Sequence, residues 1–319
     1  VRIAVLGPGG VGGLVAGALA RAGEDVVVVA RESTVQVIAQ RGLRVSSVRL
    51  GDFTVHPAAV STLESAAVST LELSAVSTPE PNAPVTLIVA TKAIGLSQAL
   101  ERIAIEPTFV LPLLNGLDHL ALLRAHFREA TVLAGAIRVE ADRPEPGVVV
   151  HTSPFLRIDM ASHLPVVREH IEGLAQLLTA AGVPARVLDS EPQVIWSKLV
   201  RLNALACTTS AYNRLLGEIL ATPELRAELV AAIEEGGAVA RAEGASVADG
   251  DPLAELTAAH PTLGSSMQRD IAAGRTPELD AIPGAVLRAG ARHGLACPTI
   301  AHLTAMIAAR AGVPLPVGA

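Results

Sequence analysis

Aromatic side chains are nearly absent: among 319 residues there is one Trp, one Tyr and four Phe. Proteins that hold single-stranded nucleic acid stack bases on aromatic rings along a basic groove. With so few rings and a net charge of -6, the chain has neither requirement, and nucleic acid is excluded as a partner. Cysteine is equally scarce. Cys207 and Cys297 cannot build a disulfide framework, so the cytoplasm is the expected compartment. The nine histidines show no H-x-x-x-H or Cys/His ligand spacing, so no metal is expected. No G-x-S-x-G elbow is present. Long apolar runs are missing too: Arg21, Arg201 and Arg310 interrupt the best candidates short of the roughly 18 residues a bilayer span needs. The chain opens inside a strand pattern rather than on a basic leader, so no membrane or export role is expected.

What is present is aliphatic. Half of the residues are hydrophobic, chiefly Ala, Val and Leu, with 27 Gly and 21 Pro. Such a chain buries a large core and is long enough for two domains. Val1–Leu6 and Val26–Ala30 are short, continuously apolar runs of the kind found in parallel strands covered on both faces. Between them, 11–22 has helical character and stops at Gly23, a C-cap. Ser33 is placed to cap a second helix through Gln40, Leu43–Val55 reads as one or two strands, and Val85–Ala90 and Thr108–Leu114 as buried strands flanking a helix at Leu96–Ile103. This alternation predicts a parallel α/β sheet. From Glu191 the pattern is helical, in segments at 191–220, 224–243, 284–296 and 299–311 punctuated by Pro223, Pro252, Pro261, Pro277, Pro283 and Pro298. The expected architecture is therefore a Rossmann-type domain over 1–189 followed by an all-α domain over 190–319. One Ser/Thr/Pro-rich stretch near 58–84, in which AVST recurs at 59–62, 67–70 and 75–78, reads as a loop insertion without assigned function.

Gly7-Pro8-Gly9-Gly10-Val11-Gly12 fits G-x-G-x-x-G between a strand and a helix, the context that makes this motif specific for a dinucleotide. The first glycine permits the turn, the second lets backbone approach a pyrophosphate, and the third lets the helix pack on the strand. At the end of the second strand, where a free ribose 2′-hydroxyl meets Asp or Glu, the chain has Ala30-Arg31. A guanidinium fork suits a phosphate, so NADP(H) is the expected cofactor. Lys92 and Asn115 each follow a buried-strand pattern, which places them at the ligand-binding edge of such a sheet; ordinary loop chemistry accounts for them equally well. In the helical half, Lys198 sits among apolar neighbours, Ser266 can cap a helix, and Glu278 follows Thr276-Pro277, read as N-cap and first helical residue. Spacing alone assigns none of the three a function. Cys207, in an apolar helix, reads as core.

These pieces, in this order, resemble the ketopantoate reductases (2-dehydropantoate 2-reductases) over essentially the whole chain: GPGGVG at 7–12, Arg31, Thr91-Lys92-Ala93, Asn115-Gly116, Trp196-x-Lys198-Leu199, Ser265-Ser266-Met267, Asp270, Glu278 and Asp280. The resemblance implies an NADPH-dependent oxidoreductase that reduces a 2-oxo acid to the D-2-hydroxy acid, nominally 2-dehydropantoate to pantoate. It implies Lys198 as general acid, and Glu278 as the residue that holds the substrate hydroxyl and orients the lysine. Ser266 becomes a donor to the substrate carboxylate, Asn115 a residue at nicotinamide and substrate, and Lys92 a supporting cation. Gly7, Gly9, Gly10, Val11, Gly12, Arg31, Lys92 and Asn115 would hold the cofactor. The small-molecule 2-oxo acid is the expected partner, and a homodimer stays open. The chain departs from the family at Leu202, Ala206, Leu216 and Leu263, positions where ketopantoate-specific members carry asparagines. Lys198, Leu202 and Ala206 share one helix face, and Asn203 stands one position round. Two alternatives follow: a same-family reductase of a more apolar branched 2-oxo acid, or a non-catalytic NADP(H)-binding or sensing protein.

Overall fold

A computed structural model describes residues 2–64, 84–246 and 250–318 of the protein. The chain divides into two compact units: residues 1–114 with 119–191, and Asn115–Asp118 with Pro192–Ala319. The four residues 115–118 thus group with the C-terminal helices, although they follow a strand of the first unit.

The first unit is built on a five-stranded parallel sheet with the order β5-β2-β1-β6-β7 (Ala58–Val60, Val26–Val29, Arg2–Leu6, Val85–Val89, Phe109–Pro112). Every residue of β1, β2 and β6 is buried, which explains why these runs are apolar without alternation. Successive side chains leave a strand on opposite faces, so the sheet feeds two cores. Ile3, Val5, Val26 and Val28 point into one; Ala4, Leu6, Val27 and Val29 point into the other. Both are overwhelmingly aliphatic. The first AVST copy, expected as loop, is half edge strand: Ala59 and Val60 belong to β5, in which Ala58, Ala59 and Val60 pair with Val27, Val28 and Val29, and Ser61-Thr62 form a bend. The copies at 67–70 and 75–78 lie outside the described residues.

Among the described residues, two further sheets, β4-β3-β10-β9 and β12-β11-β8, belong to the first unit. Only β3 (Leu43–Ser47) and β4 (Phe53–Val55) were expected. The others, β8 (Ala134–Arg138), β9 (Ala141–Asp142), β10 (Val148–His151), β11 (Arg157–Ala161) and β12 (Ala185–Val187), are 2–5 residues long, and β9, β10 and β12 are only partly buried. The second sheet packs on α1 (Gly10–Arg21). A methyl at Gly13 would stand 2.5 Å from Val149, and one at Gly17 2.8 Å from Val45. The helix is glycine-rich on that side because a sheet lies against it. The second helix runs from Glu32 to Arg41 with Arg31 at its N-cap, two residues earlier than a cap at Ser33. Leu96–Leu100 is a shorter helix than expected.

His151 is buried between two hydroxyls. Its Nδ1 lies 2.8 Å from Ser47 Oγ and its Nε2 3.1 Å from Ser153 Oγ. Ser153 Oγ already donates to the Phe155 carbonyl, so it accepts from Nε2–H. Ser47 Oγ accepts from the amides of Arg49 and Leu50 and so donates to Nδ1. The two serines therefore fix a neutral imidazole, protonated on Nε2.

The second unit is helical, with Glu191–Tyr212 and Pro223–Ala242 as its longest helices. Pro223, Pro252 and Pro298 occupy first-turn positions, where the missing N–H is no loss. Thr276-Pro277 does not start a helix, contrary to expectation. Residues 275–278 have no regular secondary structure, and the chain enters the helix Ala285–Arg292 through a π-turn, Asp280–Gly284, with Pro283 inside it. Proline removes one backbone donor and clashes with the preceding turn. The wider turn accommodates it, with the Gly284 amide reaching back to the Leu279 carbonyl. Cys207 and Cys297 are both buried free thiols.

Two outcomes are expected. Burial lowers the pKa of His151 below 6.5, the largest of its influences, so the unfolded chain takes up a proton there that the fold refuses. Its contribution to stability is therefore full above about pH 6.5 and declines as pH falls through the window below it. In His151→Asn, thermal melts between pH 5 and 7 should give a flatter dependence than the parent; an unchanged slope contradicts the buried neutral imidazole. Burial, assisted by the Glu235 charge, pushes the Cys207 thiol up to about 12 and the Cys297 thiol up to about 11. Neither should react with iodoacetamide at mildly alkaline pH until denaturant is added, as mass spectrometry of the alkylated chain will read.

Candidate active site

The glycine loop lies at the carboxyl end of β1. Gly7 has φ +88°, and a side chain there would collide with Thr91, 2.7 Å from the β-carbon position. A β-carbon on Gly12 would run into the Gly7 carbonyl, and one on Gly10 into the Ala141 carbonyl, so both are fixed by backbone packing. Gly9 differs: a methyl there would meet nothing within 4 Å. The open side of the loop is thus at Gly9, the position that a dinucleotide-binding turn leaves bare for the pyrophosphate. The first amides of α1 have no partner within the helix, and they carry the positive end of its dipole. The loop geometry fits a dinucleotide phosphate.

Arg31 follows β2, is exposed, and sits on the same sheet edge as the loop, since Leu6 pairs with Val29. Lys92 follows β6 on that edge through the Leu6–Val89 pairing. It is exposed and stands at the N-cap position of the short 3₁₀ turn Ala93–Gly95. These residues all belong to the first unit.

Asn115 does not stay with them. Its side chain joins two residues of the second unit that are far apart in sequence. Lys198 Nζ donates to Asn115 Oδ1 at 2.7 Å, and Asn115 Nδ2 donates to Glu278 Oε2 at 3.2 Å. Only one orientation of the amide serves both partners, because an ammonium can only donate and an ionised carboxylate can only accept. The backbone explains how Asn115 reaches them. Gly116 has φ +91°, and a β-carbon there would overlap the carbonyl of Ala281 in the π-turn. Glycine is required on both grounds, since most residues avoid positive φ. The π-turn and the Asn115–Gly116 step therefore meet backbone to backbone, which sets Asn115 beside Glu278. Lys198, Asn115 and Glu278 are all half-buried, a setting in which charged hydrogen bonds outweigh their aqueous counterparts.

Ser266 is exposed at the first position of the helix Ser266–Ala272. The cap is Ser265, not Ser266: its Oγ accepts from the Gln268 amide at 3.1 Å. The Ser265 hydroxyl also lies 2.9 Å from Thr209 Oγ1 and 3.3 Å from Ser210 Oγ. The S-x-x-Q spacing carries this signal in sequence, since a cap bonds the amide three residues on. Ala206 and Leu216 are buried, and Leu202 and Leu263 half-buried. The Leu216 amide donates to the Leu263 carbonyl at 2.9 Å. Thr208 and Thr209 turn their hydroxyls onto the carbonyls of Ala204 and Leu205 in their own helix. Asn203 is buried, with its Oδ1 facing the Cys207 thiol at 3.5 Å. It does not replace an amide at 202.

The comparisons with known proteins agree with this order of parts. The family model described as ketopantoate reductase PanE/ApbA matches residues 3–163, and the model for the PanE/ApbA C-terminal domain matches residues 192–311. The chain is 31% identical to the 2-dehydropantoate 2-reductase of Mycobacterium tuberculosis H37Rv, with 98% of both chains covered. It is similar to the solved 2-dehydropantoate 2-reductase of Geobacter metallireducens, at 29% identity and a TM-score of 0.83, covering 96% of this chain and 99% of that one. It shares its fold with a D-mandelate dehydrogenase solved with NADH and anilino(oxo)acetate, at 21% identity and a TM-score of 0.83, covering 98% and 99%. Spanned by both domain models, the chain is an oxidoreductase of the PanE/ApbA ketopantoate reductase family.

Proposed function

We propose that the protein reduces a 2-oxo acid to the D-2-hydroxy acid with NADPH, its nominal substrate being 2-dehydropantoate. The observation that carries this reading is Lys198 donating to an Asn115 amide that is itself anchored on Glu278. In this reading Gly7, Gly9, Gly10, Val11 and Gly12 cradle the pyrophosphate, and Arg31 takes the 2′-phosphate. The bound nicotinamide supplies hydride to the carbonyl carbon. Negative charge then grows on the carbonyl oxygen, which needs a positive field and a proton. Lys198 Nζ supplies both. Asn115 Oδ1 holds the ammonium in one direction, and Glu278 keeps the amide from flipping. Ser266 Oγ donates to the substrate carboxylate, and Lys92 adds positive charge for the anionic ligands.

A more apolar branched 2-oxo acid is the second reading, favoured by Leu202, Ala206, Leu216 and Leu263 and by hydroxyls at Thr208 and Thr209 that already serve their own helix. A substrate hydroxyl enclosed by such side chains loses a hydrogen bond, at a cost of about 1–3 kcal/mol. The D-mandelate dehydrogenase of the same fold belongs to a protein named for another substrate, so the fold itself does not select ketopantoate.

Three measurements check these assignments. Lys198→Ala should lower kcat by about 10²- to 10⁴-fold, the usual worth of a positioned acid, and leave the NADPH dissociation constant unchanged. Equal losses in rate and cofactor affinity overturn its role, and cofactor binding without turnover of any 2-oxo acid by the parent leaves a binding protein. Arg31→Ala should weaken NADPH by about 10- to 100-fold, the worth of a charged hydrogen bond, with NADH unaffected; equal loss for both cofactors removes Arg31 from the 2′-phosphate. Across a substrate panel, the apolar reading expects kcat/KM for 2-oxoisocaproate to exceed that for ketopantoate by about 5-fold or more. The reverse preference removes that reading and retains ketopantoate.

A further inference from the structure

Arg288 binds the two segments that carry Asn115 and Glu278. It lies on the helix Ala285–Arg292. Its Nη2 donates to Asp118 Oδ2 at 2.6 Å and to the Asp280 carbonyl at 2.9 Å. Its Nη1 donates to Asp280 Oδ1 at 2.7 Å and to the Val317 carbonyl at 3.0 Å. Asp118 stands three residues after Asn115, and Asp280 two residues after Glu278. One planar group therefore holds, from outside, both loops whose inner ends meet in the Asn115–Glu278 hydrogen bond. We propose that Arg288 is a positioning residue for the Lys198–Asn115–Glu278 set, acting through Asp118 and Asp280; the proposal rests on the reading that this set carries the proton transfer.

The local backbone makes such a clamp necessary. Segment 115–118 joins the second unit as a stretch of only four residues, too short for secondary structure of its own. The segment it meets is a π-turn with a proline inside, a weak way to begin a helix because one donor is missing. Gly116 against Ala281 sets how closely the two approach, but a backbone contact without hydrogen bonds does not prevent sliding. Arg288 supplies the missing constraint. Its guanidinium has its donors fixed in one plane, so two carboxylates bound at its two ends are also fixed relative to each other. A lysine, a single ammonium on a flexible stem, cannot do this. The Arg288 side chain is 24% exposed, whereas those of Asp118 and Asp280 are 51% and 69% exposed. Burial works to lower the Arg288 pKa, but the hydrogen bonds to Asp118 and Asp280 raise it and prevail, so the clamp stays charged.

The test is a double-mutant cycle on kcat for 2-oxo acid reduction with saturating NADPH. Arg288→Lys should lower kcat by about 10- to 100-fold, the scale of a catalytic group displaced by a mutation remote from the chemistry, while the NADPH dissociation constant stays within about 2-fold. In an Asn115→Ala background the same substitution should cost no more than about 2-fold further, because residues acting as one unit are not additive. A merely structural arginine gives multiplying losses, which overturns the proposal, as does a kcat unchanged in Arg288→Lys. Asp118→Asn, at an exposed position, is the second variant if Arg288→Lys fails to fold. It should reproduce a smaller loss, again absent in Asn115→Ala, and full additivity there is equally fatal. Lys198→Ala, assayed alongside, separates the two claims: a retained rate in that variant ends the reading of the site itself, whereas its loss beside an additive Arg288→Lys ends only the positioning role.

Discussion

The Asn115 amide is the contact on which the rest of the site depends. It accepts from Lys198 and donates to Glu278, so it joins a cation and an anion that come from sequence positions 80 residues apart. Neither bond forms unless the chain brings Asn115 out of the sheet domain's strand order and into the helical unit. Gly116, with its positive φ and its lack of a β-carbon over Ala281, is the local condition for that. The π-turn through Pro283 is the other, since it presents Ala281 while leaving Glu278 on the irregular segment just before it. The chemistry of a 2-oxo acid reductase needs a proton donor whose direction is fixed before charge develops. An amide locked at both ends is a direct way to fix an ammonium.

In the proposed reading the sheet domain solves a different problem, that of seating a pyrophosphate against bare backbone. Its strands are buried on both faces, so their side chains are spent on the two cores, and what is left for the ligand is the carboxyl edge. There the loop is shaped by collisions rather than by contacts: Gly7, Gly10 and Gly12 are each confined by neighbouring backbone or by Thr91, while Gly9 alone opens outward. The scarcity of aromatic residues is consistent with this economy. The interior is filled by Val, Leu, Ile and Ala, and small residues let α1 lie close to the second sheet at Gly13 and Gly17. The same small and aliphatic side chains occupy Leu202 and Ala206 on the lysine's own helix face, which ties the substrate question to the composition of the whole chain.

Local patterns made the strand–loop–helix start legible, because continuous apolar runs and a fixed glycine spacing act within a dozen residues. The long helices from Glu191 onward were legible for the same reason. The short strands β8 to β12 were not: with 2–5 residues each and in part a half-exposed pattern, they take their structure from pairing partners distant in sequence. Ser265 against Ser266 is a one-residue matter of cap geometry that S-x-x-Q spacing resolves only when the helix start is known. Thr276-Pro277 looked like a helix start because Pro at a first turn is favourable; Pro283 inside the following turn, where an α-helix disfavours it, was the contrary signal. Asn115 was placed correctly after a strand, but its partnership with Glu278 spans 163 residues and has no local signature. Arg288 and Asp118 left none either, being one surface arginine and one loop aspartate until the fold brings them together.

The most direct test of the account is the single-turnover rate of 2-oxo acid reduction in Asn115→Asp. The substituted carboxylate keeps an acceptor for Lys198 at nearly the same shape but can no longer donate to Glu278, and it faces that carboxylate with like charge. If the amide must be held at both ends, the rate at saturating NADPH falls by about 10-fold or more, the worth of one charged hydrogen bond. A rate within 2-fold of the parent contradicts the account, because the ammonium would then work without the anchored amide.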